Sequence, residues 1–289
     1  MIRLTARAKV NLFLAVRGVR PDGCHELETV FQALDLADEI ELELQPEGLR
    51  VSSHHPDLPD GEENLCWRAA ALLQQRMASQ KGVELRLTKR IPVGAGLGGG
   101  SSDAAAVLRG LNRLWELDLD EQALQQLGAS LGADVAFFLR GGTALGRGRG
   151  EFLSPLPTPQ LRLVIAWPKV ALSTRLVYQA WDAQPSQGEA ELAEMAQAIE
   201  ADDPARIAGA LRNDLEAATL RLCPACGELK QRLLAAGALG AMVSGSGSAV
   251  FGIAESESAA EEVAGRLAGE DVWVRVAKTT SAANLKLDG

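Results

Sequence analysis

Aromatic residues are scarce in this chain of 289 residues, and long hydrophobic runs are absent. Phe, Trp and Tyr together make up 4% of the residues, and Tyr178 is the single tyrosine. No run of about 18 apolar residues occurs, so no transmembrane helix is expected. Residues 1–7 lack the continuous apolar core of a secretory signal. We therefore expect a soluble cytoplasmic protein that makes no use of a membrane.

An excess of positive charge is also lacking. The chain has 29 Lys and Arg residues against 38 Asp and Glu residues, which gives a formal net charge of −9. Proteins that bind nucleic acid or anionic membranes through their overall field show a basic excess. The composition argues against that class. A phosphate ligand would have to be held by local backbone amides and a few basic side chains.

The cysteines and histidines do not show the paired spacing of a zinc site. The four cysteines are Cys24, Cys66, Cys223 and Cys226, of which the last two form a lone Cys-Pro-Ala-Cys segment. Zinc needs about four ligands, and a second cysteine pair is missing. We interpret the cysteines as reduced thiols of a cytosolic chain, although a redox role for the segment is an alternative. We predict no metal site built from protein side chains alone.

Glycine, in contrast, is concentrated in one stretch, residues 92–103. Five glycines fall within residues 94–102, after a strand-like run at 83–87 and before a helix-like run at 104–108. Glycine lets the backbone approach a ligand closely, and the first amides of a helix have no partner within the helix. A plain turn needs only one or two glycines. The stretch therefore predicts a phosphate-binding loop.

This loop belongs to neither of the two common glycine-rich nucleotide motifs. It lacks the Gly-Lys-Ser/Thr ending of a Walker A loop. It is also a poor dinucleotide fingerprint, because too many glycines follow Gly96 and the first strand of the chain does not precede it. Phosphoryl transfer further needs charge neutralisation and an oriented nucleophile, which require charged residues elsewhere in the chain.

Two charged positions stand out for that chemistry. Apolar residues alternate over residues 4–16, which predicts a strand with Lys9 and Asn11 on one face, roughly 7 Å apart. Asp134 is an acidic residue among apolar ones just after a predicted helix end. Lys9 could neutralise charge, and Asp134 could accept a proton. Taken alone, the first pattern is also typical of a solvated strand face and the second of a helix cap.

The order of predicted elements indicates an α+β fold in two domains. Short strands are predicted around Glu39–Leu44 and Leu49–Ser53, and helices over Asn64–Lys81 and Asp203–Leu220. In the second half, the order is strand, helices, strand pair, helix and strand, which fits a sheet with helices packed on one face. Three prolines recur between residues 155 and 160, so we predict domains at 1–155 and 156–289.

Five segments together resemble the GHMP kinase superfamily over almost the whole chain. They are Ala8–Leu12, Arg20–Glu26, Pro92–Ala105, Gly132–Val135 and Ser244–Ser248. The glycine loop identifies the superfamily, whereas the second and fourth segments point to the member that phosphorylates a cytidine diphosphate-linked polyol in the non-mevalonate isoprenoid pathway. The resemblance implies an N-terminal domain like ribosomal protein S5 domain 2, a C-terminal ferredoxin-like α/β sandwich, and an active site between them.

The resemblance also implies roles for individual residues. Asp134 would be the catalytic base for the 2-hydroxyl, with Lys9 beside it and the transferred phosphoryl group. Asn11, His25, Thr174 and Tyr178 would bind the substrate, with His25 reading the cytosine edge and Tyr178 stacking on the base. The residues implied in ATP binding are Asn64, Pro92, Val93, Gly94, Ala95, Gly96, Leu97, Gly98, Gly99, Gly100, Ser101 and Ser102.

Magnesium is expected to accompany ATP, but no protein ligand for it is assigned; Ser102 and Asp103 are unsupported possibilities. The partner is expected to be a small molecule, and the chain to be a monomer or weak homodimer. Two residues depart from the family pattern, Cys24 in place of tyrosine and Ala136 in place of proline. They affect one wall of the base pocket and local backbone, respectively.

Two other functions remain open. A different GHMP kinase, acting on homoserine, mevalonate or a sugar, would share the glycine loop but not the Arg20–Glu26 segment. A non-catalytic ligand sensor or RNA-associated module could use the same fold. The net charge of −9 argues against RNA, and the presence of both Lys9 and Asp134 argues against an inactive enzyme.

Overall fold

The structure is a computed structural model, and it describes residues 1–56, 58–77, 81–188, 190–281 and 287–288. The strands are β1 (Ile2–Val19), β2 (His25–Gln45), β3 (Leu49–Ser53), β4 (Gly82–Thr88), β5 (Thr143–Gly148), β6 (Phe152–Leu156), β7 (Arg162–Trp167), β8 (Arg212–Asn213), β9 (Gly240–Val243), β10 (Val250–Ala254), β11 (Trp273–Lys278) and β12 (Leu287–Asp288). The helices are α1 (Leu65–Met77), α2 (Gly99–Leu114), α3 (Glu121–Leu131), α4 (Ala133–Arg140), α5 (Thr174–Ala183), α6 (Leu192–Glu200), α7 (Pro204–Gly209), α8 (Glu216–Leu222), α9 (Pro224–Ala235) and α10 (Glu257–Leu267).

These strands form two sheets with helices packed on them, as the α+β prediction requires. The first sheet has the order β12-β1-β2-β4-β3, with β5 also paired to β2, β6 to β5, and β8 to β1. The second has the order β11-β7-β10-β9, and all its pairs are antiparallel. Because β8 and β12 pair with β1, the first sheet contains strands from both ends of the chain. The domain boundary after residue 155 therefore stays a prediction.

The antiparallel pair of β1 and β2 runs through both halves of the molecule. Its register extends from Ile2 opposite Leu42 to Val19 opposite His25. One end of the pair packs with α1 and α2 in the N-terminal core, and the other end packs with β7 and β10 in a second core. Residues 8–16 of β1 are consequently buried on both faces. A side chain from the middle of β1 thus lies between the two halves.

Two predicted elements differ in extent from those of the structure. The strand predicted at 39–44 is the last part of β2, which is continuous because residues 25–45 pair along their length with β1, β4 and β5. The helix predicted over 203–220 is interrupted after α7, where β8 pairs in parallel with β1. Helical spacing of apolar residues persists across that break, so periodicity alone does not detect it.

The interruption is held by a buried ion pair that ties the C-terminal half to β1. Arg212 Nε donates to Asp214 Oδ1 at 2.9 Å, and both side chains are almost fully buried. Asp214 also accepts from the amide of Val16 at 2.9 Å and from that of Gly188 at 2.8 Å. Its own amide donates to the carbonyl of Leu14. Every charge in this cluster is therefore neutralised or hydrogen-bonded, as burial requires.

Within the described part of the chain, no helix has the length and apolar character needed to span a bilayer.

Loss of the Asp214 charge should destabilise the protein strongly. We expect Asp214→Asn to lower the free energy of unfolding by about 3–5 kcal/mol, because Arg212 is left as an uncompensated buried charge. Denaturant unfolding followed by circular dichroism measures it. The matched control is Glu257→Gln, which breaks the exposed pair with Arg162 and should cost less than about 1 kcal/mol. Equal costs in both variants would contradict this account.

Candidate active site

A cavity of about 730 Å³ lies between the glycine-rich loop, the centre of β1, the start of β2, α4 and α5. Its size is typical of a site for a cofactor or drug-sized ligand. Most residues predicted for the site line it, in agreement with the sequence: Lys9, Asn11, His25, Pro92, Val93, Gly94, Ala95, Gly96, Leu97, Gly98, Gly99, Gly100, Ser101, Asp134, Thr174 and Tyr178. Ser102 and Asn64 are not among its lining residues.

The glycine-rich loop uses a left-handed backbone at alternate positions. Gly94, Gly96 and Gly98 have φ of 68°, 78° and 72°, values that side chains with a Cβ rarely adopt. Gly98 is the N-cap of α2, and the helical ladder begins with the hydrogen bond from the Ser102 amide to the Gly98 carbonyl. The amides that precede this bond lie at the N-terminus of a 16-residue helix, where phosphates bind favourably.

The loop is fixed by backbone contacts with the C-terminal half. The Ala249 amide donates to the Ala95 carbonyl at 2.9 Å, and the Leu172 amide donates to the Gly94 carbonyl at 3.1 Å. Ser244 Oγ donates to the Gly96 carbonyl at 3.1 Å. The loop and the Ser244–Ser248 turn, which the sequence analysis associated by resemblance, are therefore in direct contact.

Lys9 is buried at the base of this loop rather than on a solvated strand face. It is 4% exposed, and its Nζ donates to Asn11 Oδ1 at 2.7 Å and to the Gly96 carbonyl at 3.1 Å. It also lies 3.6 Å from Asp134 Oδ2. The Lys9 amide donates to the Leu97 carbonyl. The lysine thus connects β1, the loop and α4 at one point.

Asp134 is the second residue of α4, so the helix-cap interpretation is wrong. The N-cap is Gly132, and it makes no side-chain capping bond. The Asp134 side chain is 31% exposed, facing the cavity, while its partner Lys9 is almost buried. A carboxylate in the first turn of a helix interacts favourably with the helix dipole, and the Lys9 ammonium lies 3.6 Å away. A carboxylate that faces the cavity in this position is placed to accept a proton.

Thr29 is a residue of the site that the sequence analysis missed. Asn11 Nδ2 donates to Thr29 Oγ1 at 2.7 Å, and Thr29 Oγ1 donates to the Phe13 carbonyl at 2.7 Å. This chain of bonds fixes the amide of Asn11 with its oxygen toward Lys9. Thr29 is one of several polar residues at the start of β2, and no local motif distinguishes it from the others. Only the register of β1 with β2 brings it to Asn11.

At the other end of the cavity, β2 and α5 bring together a group of rings. His25 stacks on Tyr178 with ring centroids 4.5 Å apart and an interplanar angle of 27°. Trp181 meets His25 edge-on at 5.7 Å, and Asp182 Oδ1 lies 2.7 Å from His25 Nε2. Burial, and next the charge of Asp134, raises the pKa of Tyr178 above its usual value, so the phenol stays neutral.

Asp182 was also missed, although helical spacing offered a signal. Arg175, Tyr178, Gln179 and Asp182 all line the cavity, and their spacing of three and four residues places them on one face of α5. Thr174 begins this helix, and its Oγ1 lies 3.0 Å from Ser246 Oγ. Knowing that Tyr178 faces a site would therefore have identified the residues one turn away.

Two predicted ATP-binding residues have other contacts. Asn64 Oδ1 accepts from the Cys66 amide at 2.9 Å at the start of α1, and its Nδ2 donates to the Pro59 carbonyl at 2.8 Å. Ser102 is buried and lines a separate small cavity behind α2. Cys24, the departure from the family pattern, does line the main cavity, and Ala136 is buried in α4.

A buried cluster of charged residues connects the two ends of the loop, because Lys89 precedes the loop and Asp103 follows it. Lys89 Nζ donates to both Asp38 Oδ2 and Asp103 Oδ2. Asp38 Oδ1 accepts in addition from the amides of Arg90 and Ile91, whereas Asp103 Oδ1 has no hydrogen-bond partner within the described residues. Burial raises the pKa of Asp103 to about 7, and Lys89 only partly opposes this. Burial therefore disfavours the ionised form of Asp103.

The Cys223–Cys226 segment carries no sign of redox chemistry. Both residues are buried free thiols, and Cys226 Sγ donates to the Ser248 carbonyl at 3.2 Å. Burial raises the pKa of the Cys226 thiol, which disfavours the reactive thiolate. Across the described ranges, no group of three or more His, Cys, Asp or Glu side chains is arranged to hold a metal ion.

Comparisons with known proteins agree with this geometry. The family described as "GHMP kinases N terminal domain" matches residues 64–142, and "GHMP kinases C terminal" matches residues 195–271. A protein of Gloeobacter violaceus named 4-diphosphocytidyl-2-C-methyl-D-erythritol kinase is 49% identical over 277 residues, covering 93% of this chain and 91% of the relative. The chain belongs to the GHMP kinase family. Kinases of this family use ATP as co-substrate.

The chain is also similar to a second relative and to two proteins of known structure. A Bacillus pumilus protein of the same kinase name is 47% identical, covering 91% of this chain and 92% of the relative. A crystal structure of a 4-(cytidine 5′-diphospho)-2C-methyl-D-erythritol kinase superposes with a TM-score of 0.81 at 38% identity, covering 96% of this chain and all of that one. A homoserine kinase of Cytophaga hutchinsonii, 24% identical, shares the fold with a TM-score of 0.74. The two-domain GHMP kinase fold is thereby confirmed.

Packing of the loop predicts that Gly96 cannot be replaced. An added Cβ would lie 2.2 Å from the Ser244 carbonyl oxygen, at a φ of +78°. We expect Gly96→Ala to cost at least about 2 kcal/mol of unfolding free energy, from strain and overpacking together. Gly100 is the control, because its Cβ would meet nothing within 4 Å; Gly100→Ala should add about 0.5–1 kcal/mol. A neutral Gly96→Ala in thermal unfolding would contradict the packing.

The buried cluster predicts a pH-dependent effect at Asp103. Its pKa is higher in the folded protein, about 7, than the ordinary value of 3.8, so the folded state binds more protons between those values. The free energy of unfolding therefore falls as pH rises from about 4 to about 7, by about 1.4 kcal/mol for each pH unit. In Asp103→Asn this decline should vanish, so the variant gains on the wild type across that window.

Unfolding midpoints at several pH values measure this difference. Asp38→Asn is the comparison: it disturbs the acceptor of two backbone amides and should destabilise the kinase at every pH. An Asp103→Asn variant whose unfolding free energy changes with pH as that of the wild type does between pH 4 and 7 would show that folding does not raise the pKa of Asp103.

Proposed function

We propose that this kinase transfers the γ-phosphoryl group of ATP to the 2-hydroxyl of 4-diphosphocytidyl-2-C-methyl-D-erythritol, giving the 2-phosphate and ADP in isoprenoid precursor synthesis. The observation that carries the proposal is the placement of Asp134, Lys9 and the N-terminus of α2 around one cavity. The relatives named above supply the identity of the acceptor. The His25–Tyr178 stack supports it, since an aromatic surface suits a base.

In the proposed reaction, residues 92–101 hold the phosphate chain, with the backbone amides of residues 93–101 as the donors. Asp134 accepts the proton of the 2-hydroxyl as the new O–P bond forms and the bond from phosphorus to the ADP oxygen breaks. Lys9 pairs with Asp134 and faces the developing phosphoryl charge. This division follows the needs of phosphoryl transfer, where positioning and charge stabilisation supply most of the catalysis.

Binding of the two ligands divides the cavity. Asn11 orients the acceptor next to Lys9, Thr174 contacts it from the start of α5, and Tyr178 and His25 bind the cytosine. Asn64 contacts the adenine or ribose in this proposal. It is adjacent in sequence to Leu65, which lines the cavity. Ser102 stays a predicted ATP-binding residue at the start of α2, although its amide donates to the Gly98 carbonyl and the residue lines the other cavity.

Mg²⁺ enters with ATP in this proposal and neutralises phosphate charge when bound. Neither Ser102 nor Asp103 suits it as a ligand, because both side chains are buried and Asp103 pairs with Lys89. Phosphate oxygens and water fill most of the coordination sphere of magnesium in such sites. A cytoplasmic location, a monomeric or weakly dimeric state and the absence of nucleic-acid binding remain predictions from the sequence.

A kinase of the same fold that acts on homoserine is the second candidate, since that fold is shared. The ring cluster argues against it, because a small amino acid has no base to stack. ATP turnover with each acceptor discriminates between the two.

Replacement of the catalytic base tests the chemistry directly. We expect Asp134→Asn to lower kcat by at least about 10²–10⁴-fold, because the amide cannot accept the proton, while ATP binding and the unfolding temperature stay near the wild type. A coupled ADP-release assay and calorimetric ATP titration measure these quantities. Asp271→Asn, an exposed change at a residue that does not line the cavity, is the control. Near-normal turnover in Asp134→Asn would overturn the assigned role.

A further inference from the structure

The ring cluster at the end of the cavity includes a carboxylate that the proposed reaction does not use. Asp182 lies one helical turn after Tyr178 on α5, and its Oδ1 is 2.7 Å from His25 Nε2. His25 is 12% exposed and Asp182 is 46% exposed. Both side chains line the cavity, and the carboxylate is the more exposed of the two.

Three contacts fix the orientation of the imidazole. Tyr178 covers one face at 4.5 Å, Trp181 abuts it edge-on at 5.7 Å, and Asp182 holds Nε2. Trp181 is itself held, because its Nε1 donates to the Ser186 carbonyl at 3.0 Å. The ring is thus restrained in both its plane and its rotation.

The nature of the Asp182 partner decides which ring nitrogen carries the proton. An ionised carboxylate only accepts hydrogen bonds, so Nε2 must be the protonated nitrogen. In a neutral imidazole the other nitrogen is then an acceptor. Among the described residues, no hydrogen-bond partner for Nδ1 is present. Nδ1 is consequently an unpaired hydrogen-bond acceptor on a ring that lines the cavity and is held in a fixed plane.

That acceptor distinguishes the two pyrimidine bases. Cytosine has an amino group at position 4, which donates, whereas uracil has a carbonyl oxygen there, as thymine does, which accepts. An acceptor on the protein pairs with the first and opposes the second. A base beside His25, in the plane of the imidazole, would therefore be recognised through the tautomer that Asp182 imposes on the ring.

We propose that Asp182 is a positioning residue that fixes the tautomer of His25 and thereby selects cytosine over uracil in the substrate. The inference rests on the proposed function, since it concerns the base of that acceptor. It assigns Asp182 no part in the phosphoryl-transfer step. Its removal changes which substrate is bound and leaves the chemistry at Asp134 in place.

The tautomer is measured without any substrate. Long-range proton–nitrogen NMR correlations of the His25 ring should show Nε2 protonated and Nδ1 bare in the wild type. Asp182→Lys presents only donors at this position, so the proton should move to Nδ1. Asp182→Asn can donate or accept and should give a mixture, whereas Asp182→Glu keeps the acceptor and should restore the wild-type pattern.

The base preference is measured with cytidine 5′-diphosphate and uridine 5′-diphosphate as probes. We expect the wild type to bind the cytidine nucleotide more tightly by about 10- to 100-fold, from the cost of an unpaired polar group. That ratio should fall to near one or reverse in Asp182→Lys and should recover in Asp182→Glu. With the full substrate, KM should rise in Asp182→Lys while kcat changes little. Asp271→Lys controls for the change in charge.

The outcomes separate this inference from the proposed function. A wild-type His25 that is protonated at Nδ1, or doubly protonated, overturns the inference. So does a base preference that is the same in Asp182→Lys and the wild type. If the cytidine preference depends on Asp182 but no phosphoryl transfer to the cytidine substrate occurs, the inference stands and the proposed function fails.

Discussion

The carbonyl of Gly96 is the contact on which the arrangement of the site depends. It accepts from Lys9 Nζ and from Ser244 Oγ, each at 3.1 Å. One oxygen thereby joins the central strand of the first sheet, the phosphate loop and a turn of the C-terminal half. Because a Cβ at Gly96 would lie only 2.2 Å from the Ser244 carbonyl, this approach is possible only with glycine. The close contact of the loop with both halves explains why its backbone is so constrained.

Burial of charge follows one pattern across the molecule, with an informative exception. Lys9 is neutralised by Asp134, and Arg212 by Asp214. Under the loop, however, two carboxylates share the single ammonium of Lys89, so the cluster carries an excess negative charge unless Asp103 is protonated. An uncompensated anion beneath a phosphate site would oppose the nucleotide. The raised pKa of Asp103 removes much of that conflict near neutral pH.

Much of the site was predictable because its chemistry is concentrated in short motifs. The glycine loop, Lys9 and Asp134 were identified by residue type and spacing, and the structure brings them together in one cavity. The sequence could not show on which side of a helix a residue lies, or how two strands pair in register. Ser102 lies within the motif but faces the other side of α2, Thr29 meets Asn11 only through strand pairing, and the pairing of β8 with β1 breaks a helix that periodicity predicts.

The central claim is that one cavity combines this loop and the Lys9–Asp134 pair with recognition of a cytidine-linked acceptor. The most direct measurement is a steady-state ADP-release assay with ATP and 4-diphosphocytidyl-2-C-methyl-D-erythritol, with the product followed by phosphorus NMR. The account predicts one ADP released for each 2-phosphate formed, and little release with homoserine or mevalonate. Release that does not depend on the cytidine substrate, or that is faster with either small acceptor, would contradict it.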